Sequence, residues 1–296
     1  MKIYLIDGTY ELFRAYYGAP KRSNESGMEV GAVVALLRTL FSLLRRHNAS
    51  HLACAFDHVI ESFRNNLFDG YKTGDGIEAE LKQQFVLAEE AVQALGIVVW
   101  PMVDFEADDA LATAALRWQK NELVEQVVVC SPDKDLAQCV RGTQVVCFDR
   151  RRDQILDERG VVAKFGVSPK SITDWLALVG DRADGIPGIP GWGPKSTSAV
   201  LSYYHHLEKI PKKAESWDIK VPRAVSLAEN LATQYEKAFL YRDLTTLRED
   251  VPLKETLEDL EWRGPRAELK SFCCRIGAPN LLGQVPSVLT NTTREI

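Results

Sequence analysis

From Lys2 to Phe148 short apolar runs alternate with stretches of helical periodicity, and aspartates close several of the runs. Strand candidates are Ile3 to Ile6, His51 to Phe56, Ile97 to Trp100, Gln126 to Cys130 and Thr143 to Phe148. Between the first two, Val33, Leu36, Leu37, Leu40, Phe41 and Leu44 recur at helical spacing. That rhythm is α/β, and a mostly parallel sheet between helices is its economical solution. Asp7, Asp57 and Asp133 then fall just past strand ends, where open parallel sheets form their ligand sites.

Beyond Gly166 the strand-like pattern fades into helical stretches broken by Gly and Pro, over Ser171 to Val179, Lys195 to Tyr204 and Arg223 to Leu247. The expected organisation is an α/β domain over residues 1–168, a smaller helical domain over 169–275 and a loosely held tail over 276–296. No apolar run approaches membrane-spanning length, and Ile3-Tyr4-Leu5-Ile6 is too short for a signal-peptide core. Six cysteines without CxxC spacing read as buried reduced thiols, which predicts a cytoplasmic protein.

The aspartates do not stand alone. Glu106-Ala107-Asp108-Asp109, Asp133-Lys134-Asp135 and Asp181-Arg182-Ala183-Asp184 join Asp7 and Asp57 to give nine carboxylates. Singly, each has a structural explanation as a turn, a cap or a helix start. Gathered together they repel by about 1 to 4 kcal/mol per close pair, so divalent cations are the obvious compensation. All-oxygen ligands suit Mg²⁺, or Mn²⁺ in its place, and disfavour zinc. Two such ions activate a water and stabilise the leaving oxygen of an in-line phosphoryl displacement. Glu106 and Asp109, three apart, are expected to share a helix face and one metal. Asp133 and Asp135 are expected to share one side of an extended segment, with Lys134 directed away to the surface.

The formal charge of −5 does not exclude a nucleic acid, because taking the nine acids from the 41 leaves 32 against 36 basic residues. Directly after Asp184 comes Gly185-Ile186-Pro187-Gly188-Ile189-Pro190-Gly191-Trp192-Gly193-Pro194-Lys195-Ser196, between two predicted helices. Its glycines allow close backbone approach, and the helix start with Lys195 offers N–H donors and a positive charge to phosphate. Such a hairpin holds a strand without reading its bases.

These motifs resemble the 5′-nucleases, which comprise the flap endonucleases and the 5′-to-3′ exonuclease domain of bacterial DNA polymerase I. The resemblance runs through Leu5-Ile6-Asp7-Gly8, Phe13-Arg14-Ala15-Tyr16, Phe56-Asp57, Phe63-Arg64, Tyr71-Lys72, the three acidic motifs, the hairpin and Arg242-Asp243-Leu244. It implies a PIN-like core with a helical subdomain carrying a helix–three-turn–helix. It assigns Asp7, Asp57, Glu106 and Asp108 to one metal, and Asp109, Asp133, Asp135, Asp181 and Asp184 to a second. Lys72 would approach the scissile phosphate, Tyr71 would stack on an unpaired terminal base, and Arg14 and Arg64 would meet phosphate or brace the acids. Ile186, Gly188, Gly191 and Gly193 match the hairpin, whose carbonyls in many members also hold K⁺.

The expected activity is 5′-to-3′ exonuclease or structure-selective flap endonuclease, acting as a free-standing monomer on DNA with 5′ flaps, overhangs or junctions. The competing readings are a branched-DNA binding module without strong catalysis and a PIN-type RNase. Three departures stand out. Pro132 replaces a usual glycine and Gly185 a usual asparagine. After Lys72, the family often has a further arginine and a basic helical arch through which single strands pass. Here Thr73-Gly74-Asp75-Gly76-Ile77-Glu78-Ala79-Glu80 puts Asp75 where a cation is expected.

Overall fold

The structure is a computed structural model that describes residues 1–288. Six strands form one sheet: β1 (Lys2–Asp7), β2 (His51–Asp57), β3 (Val98–Met102), β4 (Gln126–Cys130), β5 (Val145–Asp149) and β6 (Gln154–Leu156). Their order is β3-β2-β1-β4-β5-β6, and every pairing is parallel except β5 with β6. The chain builds outward from β1 on one side, then returns to β4 and builds outward on the other. A crevice therefore opens at the carboxyl ends of β1 and β4.

Both sheet faces are covered, which is why the strands read as continuous apolar runs. Tyr4, Ile6, Leu52, Cys54 and Val128 pack under α1 (Gly8–Gly18), α2 (Gly31–Arg46) and α3 (Ala79–Ala94). On α2, Val33, Leu36, Leu37, Leu40, Phe41 and Leu44 are all buried, as their spacing predicts. Ile3, Leu5, Ala53, Val127 and Val129 face α4 (Ala107–Trp118), whose Ala110, Ala112, Ala114 and Ala115 let it lie close to the sheet.

After β6, α5 (Glu158–Phe165) leads into α6 (Ile172–Val179), α7 (Pro194–Tyr204), α8 (Ala224–Thr233) and α9 (Tyr235–Thr245). The single helical stretch expected over Arg223 to Leu247 is two helices that meet at Gln234, whose φ of −115° and ψ of 28° interrupt the turn. Neither β6 nor α5 is legible in the apolar pattern. Two of β6's three residues are exposed, while α5 is defined at its ends, by the Asp157 cap on Gly160 N and by Gly166 in the left-handed region. Trp175, Leu176, Trp192, Leu201 and Tyr241 join the core on the α4 face, so the helical part shares its interior with the sheet.

The expected loose tail is not what residues 276–288 form. The chain returns to the other sheet face, where Trp262, Phe272 on α10 (Glu268–Arg275), Ile276, Ala278 and Leu281 are buried with the α2–α3 layer. Trp262 Nε1 donates to Leu95 O at 2.8 Å and Arg45 to Gln284 O at 2.6 Å. Polar composition concealed this, because a few apolar residues on a short 3₁₀ turn, Pro279–Gln284, suffice to anchor the segment. The rest of that expected tail, 289–296, lies outside the described residues. Leu281→Ala should lower unfolding stability by about 2 to 5 kcal/mol, read from the denaturant midpoint. A change within error would mean that the segment adds nothing to the core.

Candidate functional site

β1 and β2 end on carboxylates that also organise the backbone beyond them. Asp7 caps α1, with Oδ1 accepting from Tyr10 N at 2.8 Å, while its Oδ2 accepts from Ser131 Oγ at 2.8 Å. Asp57 Oδ1 accepts from Ala107 N, the first residue of α4, at 2.7 Å. The Asp57 N–H donates to Thr9 Oγ1 at 2.7 Å. Strand ends and helix starts are thus tied together through the acids themselves.

Asp7, Asp57, Glu106, Asp108, Asp133 and Asp184 line one cavity of about 370 Å³, together with Lys72. Asp184 also belongs to a second group, in which one oxygen each of Asp135, Asp181 and Asp184 lie within 4.8 Å of one another. Eight of the nine acids are thereby gathered. Asp135 Oδ1 is buried without a hydrogen-bond partner among the described residues, a costly state for a carboxylate oxygen.

Asp109 is the exception. It is fully buried, and both its oxygens are consumed: Oδ1 accepts from Arg64 Nη2 at 2.7 Å and Arg248 N at 2.9 Å. Oδ2 accepts from Arg64 Nη1 at 2.8 Å and Glu106 N at 3.0 Å. The helix starts one residue later than that spacing assumed, so Glu106 is the extended N-cap of α4 rather than part of a helical face, and the two acids share the Arg64 guanidinium. Arg64 is only 1 % exposed and also donates to Glu106 Oε1 and to the carbonyls of Leu244 and Thr246. With its donors spent inside the protein it braces acids and cannot meet a phosphate.

Other side chains also depart from expectation. Tyr71 is 4 % exposed in the core, its hydroxyl donating to Glu106 Oε2 at 3.2 Å, so no ring face is offered to a base. Arg14 pairs with Glu11 and Thr39, in a separate ionic cluster completed by Arg150, and with none of the nine acids. Lys134 does not turn away: its Nζ sits 2.6 Å from Asp181 Oδ2, because Asp135 starts a 3₁₀ turn instead of continuing an extended segment. Lys72 lies among the acids, with Nζ 2.8 Å from Glu106 Oε2 and 3.1 Å from Asp184 Oδ1. Neither Lys134 nor Ser62, which donates to Glu106 Oε1 at 2.7 Å, was singled out by motif. A lysine between two acids was the one available signal for the former.

Crowding shows in the proton affinities. Burial, reinforced by Asp57 and Asp133 and opposed by the Tyr10 and Ser131 hydrogen bonds, pushes Asp7 up to about 7. Burial likewise raises Asp57, with Glu106 adding to it and Lys72 opposing. Asp108 and Asp135 rise further, through burial and then neighbouring carboxylates. Glu106 goes the other way: burial would raise it, but Lys72 and Arg64 together hold it below its ordinary value.

Beside the acids the hairpin folds back on the end of α6. Gly188 has φ of +73°, and a Cβ there would lie 2.6 Å from Gly180 N. Gly185, at φ +76°, would place a Cβ 2.0 Å from Gly70 O, so the usual asparagine could not be accommodated in this packing. Ile186, Ile189 and Trp192 point into the core, whereas Gly191 and Lys195 are exposed, Lys195 in the first turn of α7.

Residues 2–166 match the family model of the 5′-3′ exonuclease N-terminal resolvase-like domain, and residues 167–268 that of the 5′-3′ exonuclease C-terminal SAM fold. The chain is 32% identical over 294 residues to a 5′-3′ exonuclease of Aquifex aeolicus, covering 99% of this chain and 98% of that one. It is 35% identical over 267 residues to DNA polymerase I of Rhizobium leguminosarum, of which it spans 26%. Among solved structures, the bacteriophage T5 flap endonuclease complex with DNA and metal ions aligns at a TM-score of 0.66 with 18% identity, over 98% of both chains. The catalytic core of Rad2 with DNA substrate aligns at 0.62 with 17% identity, over 96% of this chain and 92% of that one. At such identities these two matches speak for the fold.

Asp7 keeps its proton in the folded state at pH values where the unfolded chain, near 3.8, has lost it. Its contribution to stability is therefore complete below 3.8 and is lost as pH rises to about 7. In EDTA, Asp7→Asn, which retains the cap, should raise the thermal midpoint relative to wild type by an amount that grows across that window. A constant or shrinking difference would refute this. Asp109→Ala should cost about 3 to 5 kcal/mol by stranding Arg64, whereas Asp133→Asn leaves stability unchanged or raised in the same denaturant titration. Equal losses would return Asp109 to the metal-facing set.

Proposed function

The chain belongs to the 5′-3′ exonuclease family, and from that premise we propose that it hydrolyses DNA phosphodiesters near single-strand/duplex junctions, as a divalent-metal-dependent 5′-to-3′ exonuclease and structure-selective flap endonuclease. The observation that carries the reading is the acid-lined cavity at the carboxyl ends of β1 and β2, continuous through Asp184 with the Asp135–Asp181 group. These residues fit hard divalent ions: the donors are all oxygen, and Asp135 Oδ1 is a buried acceptor awaiting a cation. Asp7, Asp57, Glu106, Asp108 and Asp133 would hold one ion, and Asp135, Asp181 and Asp184 a second, with Mg²⁺ preferred and Mn²⁺ able to replace it. Ions so held supply an acidified water and charge neutralisation at phosphate oxygens.

The chain's own groups do the rest. Lys72, held by Glu106 and Asp184, sets an ammonium at the cavity wall for the scissile phosphate. Arg64 fixes Glu106 from behind. The first turn of α7, opened by Pro194, offers N–H groups and Lys195 to a strand's backbone. The helical domain expected over 169–275 would then grip duplex while 1–168 cut it. A K⁺ in the Ile186–Gly193 hairpin would share the carbonyls of Ile186, Ile189, Pro190 and Gly193 with hydrogen bonds that they already accept. Among the described residues no helix is long and apolar enough to cross a membrane, and all six cysteines are free, five of them buried. Those thiols suit the cytoplasm, where we place the protein as a monomer.

The test is cleavage of end-labelled DNA with a 5′ overhang or flap in Mg²⁺, Mn²⁺ or EDTA. Cleavage should require the metal and fall by orders of magnitude in Asp133→Asn, with duplex binding retained. Binding without turnover in the wild type would favour a branched-DNA binding module, and equal cleavage of RNA an RNase.

A further inference from the structure

The segment that follows Lys72 closes one side of the acid cavity. Thr73 and Ile77 are part of the cavity wall, and only six residues, Thr73 to Glu78, separate Lys72 from α3. Both ends are fastened. Gly74 N donates to Glu61 Oε1 at 2.8 Å, and Tyr17 on α1 donates its hydroxyl to Glu78 Oε2 at 2.8 Å. In the first turn of α3, Glu80 pairs with Lys21 and accepts from Tyr16. Between the pins at Gly74 and Glu78 the chain spans at most about 14 Å when fully extended. Here it is shorter still, because Ile77 turns inward toward the cavity and its N–H folds back on Gly74 O.

A strand passing between this strap and the acids would need a closed opening wider than a nucleotide, and the three residues between the pins, one of them an inward isoleucine, cannot frame one. The strap is also of the wrong sign. From Thr73 to Leu81 there is no basic residue, while Asp75, Glu78 and Glu80 are exposed. Phosphates led along it would meet like charge, offset at its far end by Lys21 and Lys82.

We propose that the strap makes the cavity a dead end, so that the preferred substrate is duplex DNA whose 5′ terminus lies at the junction, at a nick, a gap or a recessed end. A long single-stranded 5′ tail is disfavoured, and the product is a mononucleotide or a very short piece. This refines the nuclease reading and rests on it.

The test compares product lengths and rates in Mg²⁺ and in Mn²⁺ on a nicked duplex, a recessed 5′ end and the same duplex bearing a long 5′ tail. Wild type should release mononucleotides from the first two and cleave the tailed duplex slower by an order of magnitude or more. A Gly-Ser-Gly insertion after Gly76 should raise the tailed rate selectively. So should Asp75→Lys, which alters charge without lengthening the segment and guards against a misfolded insertion. Equal wild-type rates on tailed and nicked DNA overturn the inference and leave the nuclease reading intact, as does a tailed rate that neither variant raises. No cleavage of any end in either metal overturns both.

Discussion

A guanidinium with no access to water holds the site in shape. Arg64 ties Glu106 and Asp109, at the start of α4, to the carbonyls of Leu244 and Thr246 at and just past the end of α9. Burying such a charge costs several kcal/mol unless every donor finds a partner, and here the partners come from two distant segments of the chain. The sheet layer and the helical layer are thereby keyed to one another at the place where the acids converge. Asp109 serves as counter-ion, and its neighbour Asp108 is left to face the cavity.

Behind that brace the cavity holds more negative charge than its protein partners neutralise. Lys72 and Lys134 reach Glu106, Asp184 and Asp181, while the remaining carboxylates are supported by backbone N–H groups and hydroxyls. Burial first, and then repulsion that those contacts do not remove, make Asp7, Asp57, Asp108, Asp135 and Asp184 all hold protons more tightly than ordinary carboxylic acids. Such a site suits cations because the fold has already met the cost of bringing the acids together.

The motif spacing announced which residues would meet, and eight of the nine acids do, along with Lys72. It could not say which way a side chain turns after arriving. Asp109 and Tyr71 carry the right chemistry at the right positions, yet one is enclosed by Arg64 and the other fills the core. Lys134 was expected at the surface because an extended segment would have pointed it there, and a 3₁₀ turn reverses that. Each of these outcomes turns on one or two backbone dihedrals or on a partner far along the chain.

The fold class was legible for a related reason. Buried strands and amphipathic helices write their periodicity over many residues, so β1 to β5 and α2 stand out from local pattern alone. β6, α5 and the anchored stretch before residue 288 depend on a few residues meeting a surface made elsewhere, and local pattern is silent about them. The amino-acid order alone therefore settled the α/β rhythm, the inventory of carboxylates and their attachment to strand ends, because these follow from periodicity and residue type. Which carboxylates face the cavity, which lysines answer them and how the segment after Lys72 is pinned were decided by long-range contacts, since burial and charge pairing depend on where distant parts of the chain come to lie.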